Sequence, residues 1–375
     1  MPYAGGEVTA KRYKQNTLDH DGYKIDGYAL QVEVPIIHYS HYKGYQQAKK
    51  NVERLTLSRE DTAMQLAYDV ATAYFQVLLA QQDLEVAQAE NLAVTRLLER
   101  AQAEFKVGRI IVTDLEEARA RVDLSNAQLL ALAETRESRQ EALVELIGKQ
   151  VASLADLEQS FPLDKPEQDV AYWIQKALVR NPMFRVLDVA AEAAQLGADK
   201  ARGGLYPTLS LNASHSVYNN TASATWLGAD TNTQVLGVTL SVPLFQGGRP
   251  EAQMREALSQ KDEAQLKRED LYRKITRQVG DSYRGVLTAI ARVNALKQAE
   301  KSAQTALKTT QAGFTAGVRT MLDILNAERA LRDTQRHLNA ARIGYVLNTL
   351  ALHRAAGELN GELMQRINSW LQKGV

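Results

Sequence analysis

A chain of 375 residues is long enough for two or three ordinary domains. Apolar residues make up 45% of it and charged residues 24%, a balance that excludes both a disordered chain and a uniformly apolar one. The net charge of +1 gives no reason to expect a nucleic-acid partner, and the absence of cysteine excludes disulfides and thiolate metal sites.

No stretch of the sequence comes near the run of about 18 apolar residues that marks a transmembrane helix, so none is predicted. The N-terminal stretch MPYAGGEVTAKRYK also lacks the apolar core of a signal peptide. Two interpretations remain open at this point: a cytosolic protein, or an exported one whose signal is missing from this chain.

Residues 1–37 are predicted to form two β-strands joined by a polar loop. The second strand alternates apolar side chains with polar or small ones, and its apolar positions are Tyr28, Leu30, Val32 and Val34. This period of two predicts a strand with one apolar face and one polar face. The first strand is less regular, because Arg12 falls at a position where the pattern requires an apolar residue.

Residues 38–148 are predicted to form a long helical hairpin. Between His41 and Lys106 there is no proline and only one glycine, and alanine, leucine, glutamine and glutamate predominate. A continuous helix over this stretch would be about 100 Å long. A compact globule of the same chain length would measure only about 55 Å across, so packing of the coiled-coil type is expected instead.

A glycine-containing turn interrupts this hairpin, and the same turn returns later in the chain. FKVGRIIVTDLEEARA begins at Phe105, and FTAGVRTMLDILNAERA begins at Phe314, which is 209 positions later (314 − 105). Other residues recur at the same offset, in the pairs Gly108 and Gly317, Asp114 and Asp323, and Ala118 and Ala327. The chain is therefore predicted to be an internal duplication of strand, loop, strand, long helix, turn and helix.

The second copy supplies the remaining elements. Residues 149–206 are predicted to connect the repeats through a helix, residues 207–245 to form a second strand pair, and residues 246–357 to form the second helical hairpin. Residues 358–375 are expected to form a C-terminal helix. Pro250 suits the first turn of a helix. The apolar positions of the second strand pair are Leu209, Leu211, Ala213, Leu236, Val238, Leu240 and Val242.

Aromatic residues lie at both ends of the predicted strands. Those near the helices are Tyr3, Tyr39, Tyr42, Tyr206 and Phe245, and those near the loops are Tyr13, Tyr23, Tyr28 and Tyr218. Two aromatic girdles are typical of a membrane β-barrel and favour it over two exposed hairpins resting on helices. Four strands cannot close a barrel, and open strand edges are not tolerated in lipid, so several chains must assemble.

The order of these elements, together with several motifs, resembles the TolC family of outer-membrane efflux and type I secretion channels. The motifs are AYDVATAYFQVLLAQ, AEFKVGRIIVTDLEEARA, RNPMFRV, LYPTLSLNAS, LSVPLFQGG and AGFTAGVRTMLDILNAERAL. The resemblance covers essentially the whole chain and implies a mainly α protein with a membrane β-barrel part. Each protomer would contribute two long antiparallel helical hairpins and four strands to a homotrimer, whose 12-stranded barrel is continued by an α-helical barrel.

The resemblance also implies a function, a location and partners. The trimer would be a passive duct in the lipid of the bacterial outer membrane, extending into the periplasm, with neither enzymatic activity nor a cofactor. Its helical tips would meet a periplasmic adaptor protein and an inner-membrane transporter driven by an ATP-binding cassette or by protons. The transporter would choose the cargo, which leaves efflux of small compounds and secretion of whole proteins both open.

Residue by residue, the resemblance places a gate latch at the two turns. The latch would join Arg319 to Thr113 and Asp114 between neighbouring tips. Phe314 takes the place of a gate tyrosine and lacks its hydroxyl, so one hydrogen bond of the latch is expected to be absent. Such an exposed pair would contribute only about 0–1 kcal/mol, but three copies could still bias a gate with two states of similar free energy.

A constriction and a docking surface are implied in the same way. Asp323 and Asn326 would line the constriction, where asparagine replaces a second acid and halves the charge of the ring. The tips expected to contact the adaptor contain Gly108, Arg109, Gly317 and Val318.

A purely structural interpretation of the acids at the turns is compatible with gating. Thr113 with Glu116, and Thr320 with Asp323, fit the capping box that begins many helices. Acids in a first helical turn also interact favourably with the helix dipole.

The resemblance further predicts that the first repeat lacks an element. A helical segment from Ala171 to Gly203 precedes the second strand pair, and its equivalent would lie before Pro2. That helix and a signal peptide are therefore expected to be missing, which affects whether the shortened chain forms a sealed channel.

No catalytic or metal site is predicted. The sequence contains no HExxH, GxSxG, phosphate-binding loop or dinucleotide fingerprint. His38 and His41 are three positions apart, a spacing that also occurs in metal-binding pairs. They lie beside Tyr39 and Tyr42, however, and an aromatic belt explains this group better. The alternative function is a periplasmic coiled-coil adaptor or scaffold without a membrane barrel, which the long hairpins alone would suit equally well.

Overall fold

The computed structural model describes residues 3–7, 10–12, 24–150, 154–158, 160–221 and 231–372. Two helical hairpins dominate it, formed by α1 (Tyr39–Lys106) with α2 (Val112–Ile147) and by α5 (Arg249–Thr315) with α6 (Met321–Ala355). Three shorter helices are α3 (Val170–Arg180), α4 (Pro182–Arg202) and α7 (Gly361–Asn368). The mainly helical fold and the repeated order of elements confirm the predicted fold class.

The strands form one antiparallel sheet. They are β1 (Tyr3–Glu7), β2 (Ala10–Arg12), β3 (Lys24–Ile37), β4 (Thr208–Thr221) and β5 (Thr231–Ser241). Both β1 and β2 pair with β3, so the first predicted strand runs in two segments along one partner. The order β1-β3-β4-β5 leaves β1 and β5 at the edges among the described strands.

One face of the sheet is mostly apolar. The register sets Val34 opposite Leu211 and Leu211 opposite Val238, and residues directly opposite one another share a face. The predicted apolar positions of three strands therefore coincide on one side. Leu30, Val238 and several of their neighbours are exposed there, so no other described part of the chain covers this face.

The described helices contain no apolar stretch long enough to cross a membrane.

The chain divides into two compact units. The first comprises Met1–Leu55 and Val186–Glu269 and contains the sheet. In it the start of α1 is tied to α4 by ion pairs, Lys50 to Glu192 at 2.7 Å and Lys43 to Asp199 at 3.4 Å. The Ser40 hydroxyl also donates to the carbonyl oxygen of Lys200.

The second unit comprises Thr56–Arg185 and Asp270–Val375 and contains the largest hydrophobic core. Tyr345 lies at its centre, almost fully buried, and its hydroxyl donates to the carbonyl oxygen of Asp164 at 3.1 Å. Phe161 and Trp370 pack against the Tyr345 ring. In the motif RNPMFRV, buried Asn181 donates to the Ala355 carbonyl and accepts from the Phe184 amide, which fixes the start of α4.

Two glycines that are equivalent by duplication offer a matched test of this packing. Gly148 and Gly357 follow α2 and α6 with φ values of +66° and +71°. A Cβ at Gly148 would have no neighbour within 4 Å, whereas one at Gly357 would lie 2.5 Å from the Arg180 carbonyl oxygen. We expect Gly148→Ala to lower the free energy of unfolding by about 1 kcal/mol. Gly357→Ala should lower the free energy of unfolding by at least about 2 kcal/mol more than Gly148→Ala does. Denaturant unfolding measures both, and equal losses would contradict the packing.

His353 gives the second unit a predictable pH dependence. Burial, with the positive charge of Arg366 as the next cause, lowers the pKa of His353 to about 4. Between pH 6.5 and about 4 the unfolded chain binds this proton and the folded chain does not, so stability falls as pH falls through that window. This proton costs the folded protein up to about 3 kcal/mol of stability at pH 4, and His353→Gln should abolish that cost. Melting temperatures of both proteins between pH 7 and pH 4 check this, and parallel curves would contradict it.

Candidate functional site at the hairpin tips

The two hairpin turns have the same backbone geometry. In the first, Gly108 has a φ of +73° and its amide donates to the Phe105 carbonyl at 2.9 Å. In the second, Gly317 has a φ of +75° and its amide donates to the Phe314 carbonyl at 3.0 Å. Glycine suits both positions because the left-handed conformation carries no steric cost for it. The predicted duplication of the turn is confirmed.

The second turn begins its helix with the predicted capping box. The Asp323 amide donates to the Thr320 hydroxyl oxygen at 3.2 Å, and the Thr320 amide donates to the Asp323 carboxylate at 2.9 Å. The Thr320 hydroxyl also donates to this carboxylate at 3.0 Å. These hydrogen bonds from Thr320, with a contribution from the charge of Arg319, lower the pKa of Asp323. Asp323 is therefore held as a carboxylate.

The first turn begins its helix differently, and the capping box predicted for Thr113 with Glu116 is wrong. α2 begins at Val112, so Ile111 occupies the cap position and has no side chain that can accept a hydrogen bond. Glu116 pairs instead with Arg119 at 2.7 Å. Asp114 occupies the position equivalent to Asp323, but within the described chain no side-chain hydrogen bond or ion pair engages it.

The protomer does not bring the predicted latch residues together. Arg319 is exposed, and its Nη1 lies 4.0 Å from the Asp323 Oδ1 of its own tip. Across the part of the chain that the structure describes, Arg319 has no hydrogen bond or ion pair with Thr113 or Asp114. A latch between neighbouring tips therefore stays a prediction.

Phe314 has a partner that the sequence did not suggest. The Arg100 guanidinium of α1 lies 4.7 Å from the centre of the Phe314 ring, which is the geometry of a cation–π contact. The contact joins the second turn to the first hairpin. Because the two residues are far apart in the sequence, no local pattern could have revealed it.

A small hydrophobic core holds the two tips together. Leu115 and Ala118 of α2 belong to the same buried cluster as Met321, Ile324 and Leu325 of α6. On α6 this leaves Asp323 partly exposed and Asn326 exposed. The two predicted constriction residues therefore lie outside the core that joins the tips.

Both turns also present uncovered apolar side chains. Val318 is 77% exposed, and the others are Val107, Ile111, Val112 and Leu322. The predicted adaptor-contact residues Gly108, Arg109 and Gly317 lie among them and are exposed as well. Arg109 pairs with Glu104 of its own turn at 3.5 Å.

Most of the predicted aromatic girdle is described, and it lies in the first unit. Tyr39 and Tyr206 meet edge to face, with ring centres 5.2 Å apart. Tyr42 and Phe245 are exposed. The side chain of Tyr3, together with Tyr13 and Tyr23, lies outside the described residues.

The histidine pair beside the girdle has a structural role. The His38 Nδ1 accepts a hydrogen bond from the His41 amide at 3.3 Å, so His38 caps the start of α1. Among the described residues, no group of three or more histidine, aspartate or glutamate side chains could hold a metal ion.

Comparison with known proteins assigns the chain to a family. A family model described as outer membrane efflux protein matches residues 3–149 and 173–358. The chain belongs to this family. It is an outer-membrane channel protein of the efflux and type I secretion class and is not an enzyme, which confirms the resemblance to TolC.

Individual relatives agree with this assignment. TolC of Vibrio cholerae is 31% identical, over 87% of this chain and 75% of the relative. TolC of Escherichia coli K12 is also 31% identical, over 83% of this chain and 65% of the relative. The alkaline protease secretion protein AprF of Pseudomonas aeruginosa is 29% identical, over 94% and 73%. The chain thus spans between 65% and 75% of the length of these relatives.

A solved structure shows the same fold. The structure of CusC superposes with a TM-score of 0.82 at 19% identity, covering 95% of this chain and 83% of that one.

The unequal helix caps of the two tips lead to opposite predictions. Thr320→Ala should weaken the start of α6 by about 1 kcal/mol and speed hydrogen exchange at the Asp323 amide. Ile111→Thr should complete a capping box with Asp114 and slow exchange at the Asp114 amide. Exchange measured on the assembled protein checks both, and unchanged rates in Thr320→Ala would contradict the capping role.

Proposed function

We propose that the chain is the exit duct of a tripartite efflux pump or type I secretion system and that three copies surround one channel. The observation that carries this is the open sheet, with an uncovered apolar face and with β1 and β5 at its edges. Pairing β5 of one copy with β1 of the next would satisfy the edges and turn the apolar face toward lipid. The adaptor or scaffold alternative leaves that face without a role.

The tips are proposed to form the gate of the duct. Asp114 has an uncapped helix start and no side-chain partner within its own described protomer. Arg319 is exposed, and its contact with Asp323 is long. An arginine and a carboxylate that are both available on neighbouring tips can pair across the trimer, with Thr113 as a further acceptor. Phe314 would steady this latch through Arg100 rather than through a hydroxyl.

Asp323 is proposed to set the charge of the constriction. Its hydrogen bonds with Thr320 fix the carboxylate on the exposed side of α6. Threefold symmetry would bring three such carboxylates around one axis, which favours cations and allows multivalent cations to block. Asn326 contributes hydrogen-bonding groups but no charge, so the ring would carry three charges rather than six.

The adaptor is proposed to dock on the uncovered apolar side chains of the tips, around Gly108, Arg109, Gly317 and Val318. Docking there would cover these side chains and compete with the latch next to them. The inner-membrane transporter would then supply both the energy and the choice of cargo.

Single-channel recording in planar lipid bilayers tests this function. We expect the assembled protein to form cation-selective channels that trivalent cations block from the side of the tips. Asp323→Ala should lower the ratio of cation to anion permeability severalfold and weaken the block. Asn326→Asp should do the opposite, because it adds a second acid to the ring.

The matched control is Glu137→Ala, which removes an exposed carboxylate from α2 outside the tips. It should leave selectivity unchanged. If Asp323→Ala is as selective as the parent, the proposal that Asp323 sets the charge of the constriction is wrong. If no channels form at all, the proposed duct function is wrong.

A further inference from the structure

Glu90 is a buried carboxylate in the wall of the first hairpin. Its side chain is 4% exposed, although it lies on α1 about four turns before the tip. Burying a carboxylate without partners is strongly unfavourable, so its surroundings must compensate the charge.

Two arginines from different helices provide that compensation. Arg121 of α2 places its Nη2 2.7 Å from one Glu90 oxygen, and Arg336 of α6 places its Nη1 3.4 Å from the other. Both arginine side chains are 19% exposed. Glu90 therefore ties the two helices of the first hairpin to α6 of the second.

A second carboxylate lies in the electrostatic field of the same arginine. Asp83 is two helical turns from Glu90 on α1, and its Oδ1 is buried with no hydrogen-bond partner. Burial raises the pKa of Asp83, and the charge of Arg336 acts in the opposite direction. A buried oxygen without a partner is rare and requires an explanation.

We propose that Glu90 and Asp83 are alternative acceptors for Arg336 and form a two-position clamp between α1 and α6. In this structure Arg336 is bound to Glu90 and to Asp333 of its own helix, which moves together with it. We assign this arrangement to the closed duct. Because α6 runs away from the tip and Asp83 lies farther from the tip than Glu90, sliding of α6 away from the tip carries Arg336 toward Asp83. The clamp rests on the proposed duct function and acts several helical turns from the latch.

The two acceptors predict opposite effects on the gate. Glu90→Gln weakens the closed position and should shift the ratio of open to closed channels toward open by about tenfold. Asp83→Asn weakens the open position and should shift the ratio toward closed. Both substitutions keep the size of the side chain, so the helices are expected to pack as before.

A second ion pair between the same helices serves as the control. Asp61 of α1 and Arg354 of α6 lie 2.7 Å apart and are also mostly buried. Asp61→Asn breaks a comparable pair. The other acceptor of Arg354 on α1, the Gln65 side chain at 3.2 Å, is already engaged and carries no charge, so this substitution should lower the melting temperature without changing the open ratio. If it opens the duct as strongly as Glu90→Gln, any loss of α1–α6 pairing suffices and the clamp is wrong.

A double-mutant cycle decides between a clamp and independent effects. Arg336→Gln should open the duct less than Glu90→Gln, because it removes the partner of both positions. The double variant should match Arg336→Gln alone. Additive shifts would overturn the clamp.

The readout also separates the clamp from the function on which it rests. If the parent forms cation-selective channels and Glu90→Gln leaves the open ratio unchanged, the clamp fails and the duct stands. If the parent forms no channels, the duct itself fails.

Discussion

The unpaired backbone of a sheet edge governs this structure more than any side chain does. Among the described strands the antiparallel order β1-β3-β4-β5 leaves β1 and β5 each with a strand partner on one side only, and the apolar face has no cover within the described chain. In water such edges invite association, and in lipid they cannot remain open. The protomer alone leaves both requirements unmet, and the proposed assembly of three copies edge to edge would satisfy them at once.

Charged groups are paired differently in the interior of the protomer and at its tips. The buried charge of Glu90 is paired within the protomer, with Arg121 and Arg336. At the tips the charged groups of Arg319 and Asp114 remain exposed or unengaged within the described protomer. Groups with strong internal partners hold the protomer together, and groups without them are available to neighbouring copies or to an adaptor.

Much of this could be predicted from the sequence, because its signals are local or periodic. Alternation located β3, β4 and β5, the absence of proline located the long helices, and the offset of 209 positions (314 − 105) located both turns. The capping error at Thr113 was also local, since a shift of two residues in where α2 begins exchanges its cap for Ile111. The contact of Arg100 with Phe314 and the Glu90 cluster depend on how separate helices pack, which no local pattern reports.

The mass of the detergent-solubilised protein tests the central claim most directly. Native mass spectrometry, after removal of detergent in the gas phase, should find a complex of three times the chain mass of 41.6 kDa. The complex should also require detergent to stay in solution, because its apolar face is turned outward. A monomer that is stable in water without detergent would contradict the account, because it would show that the sheet edges and the apolar face need no partner.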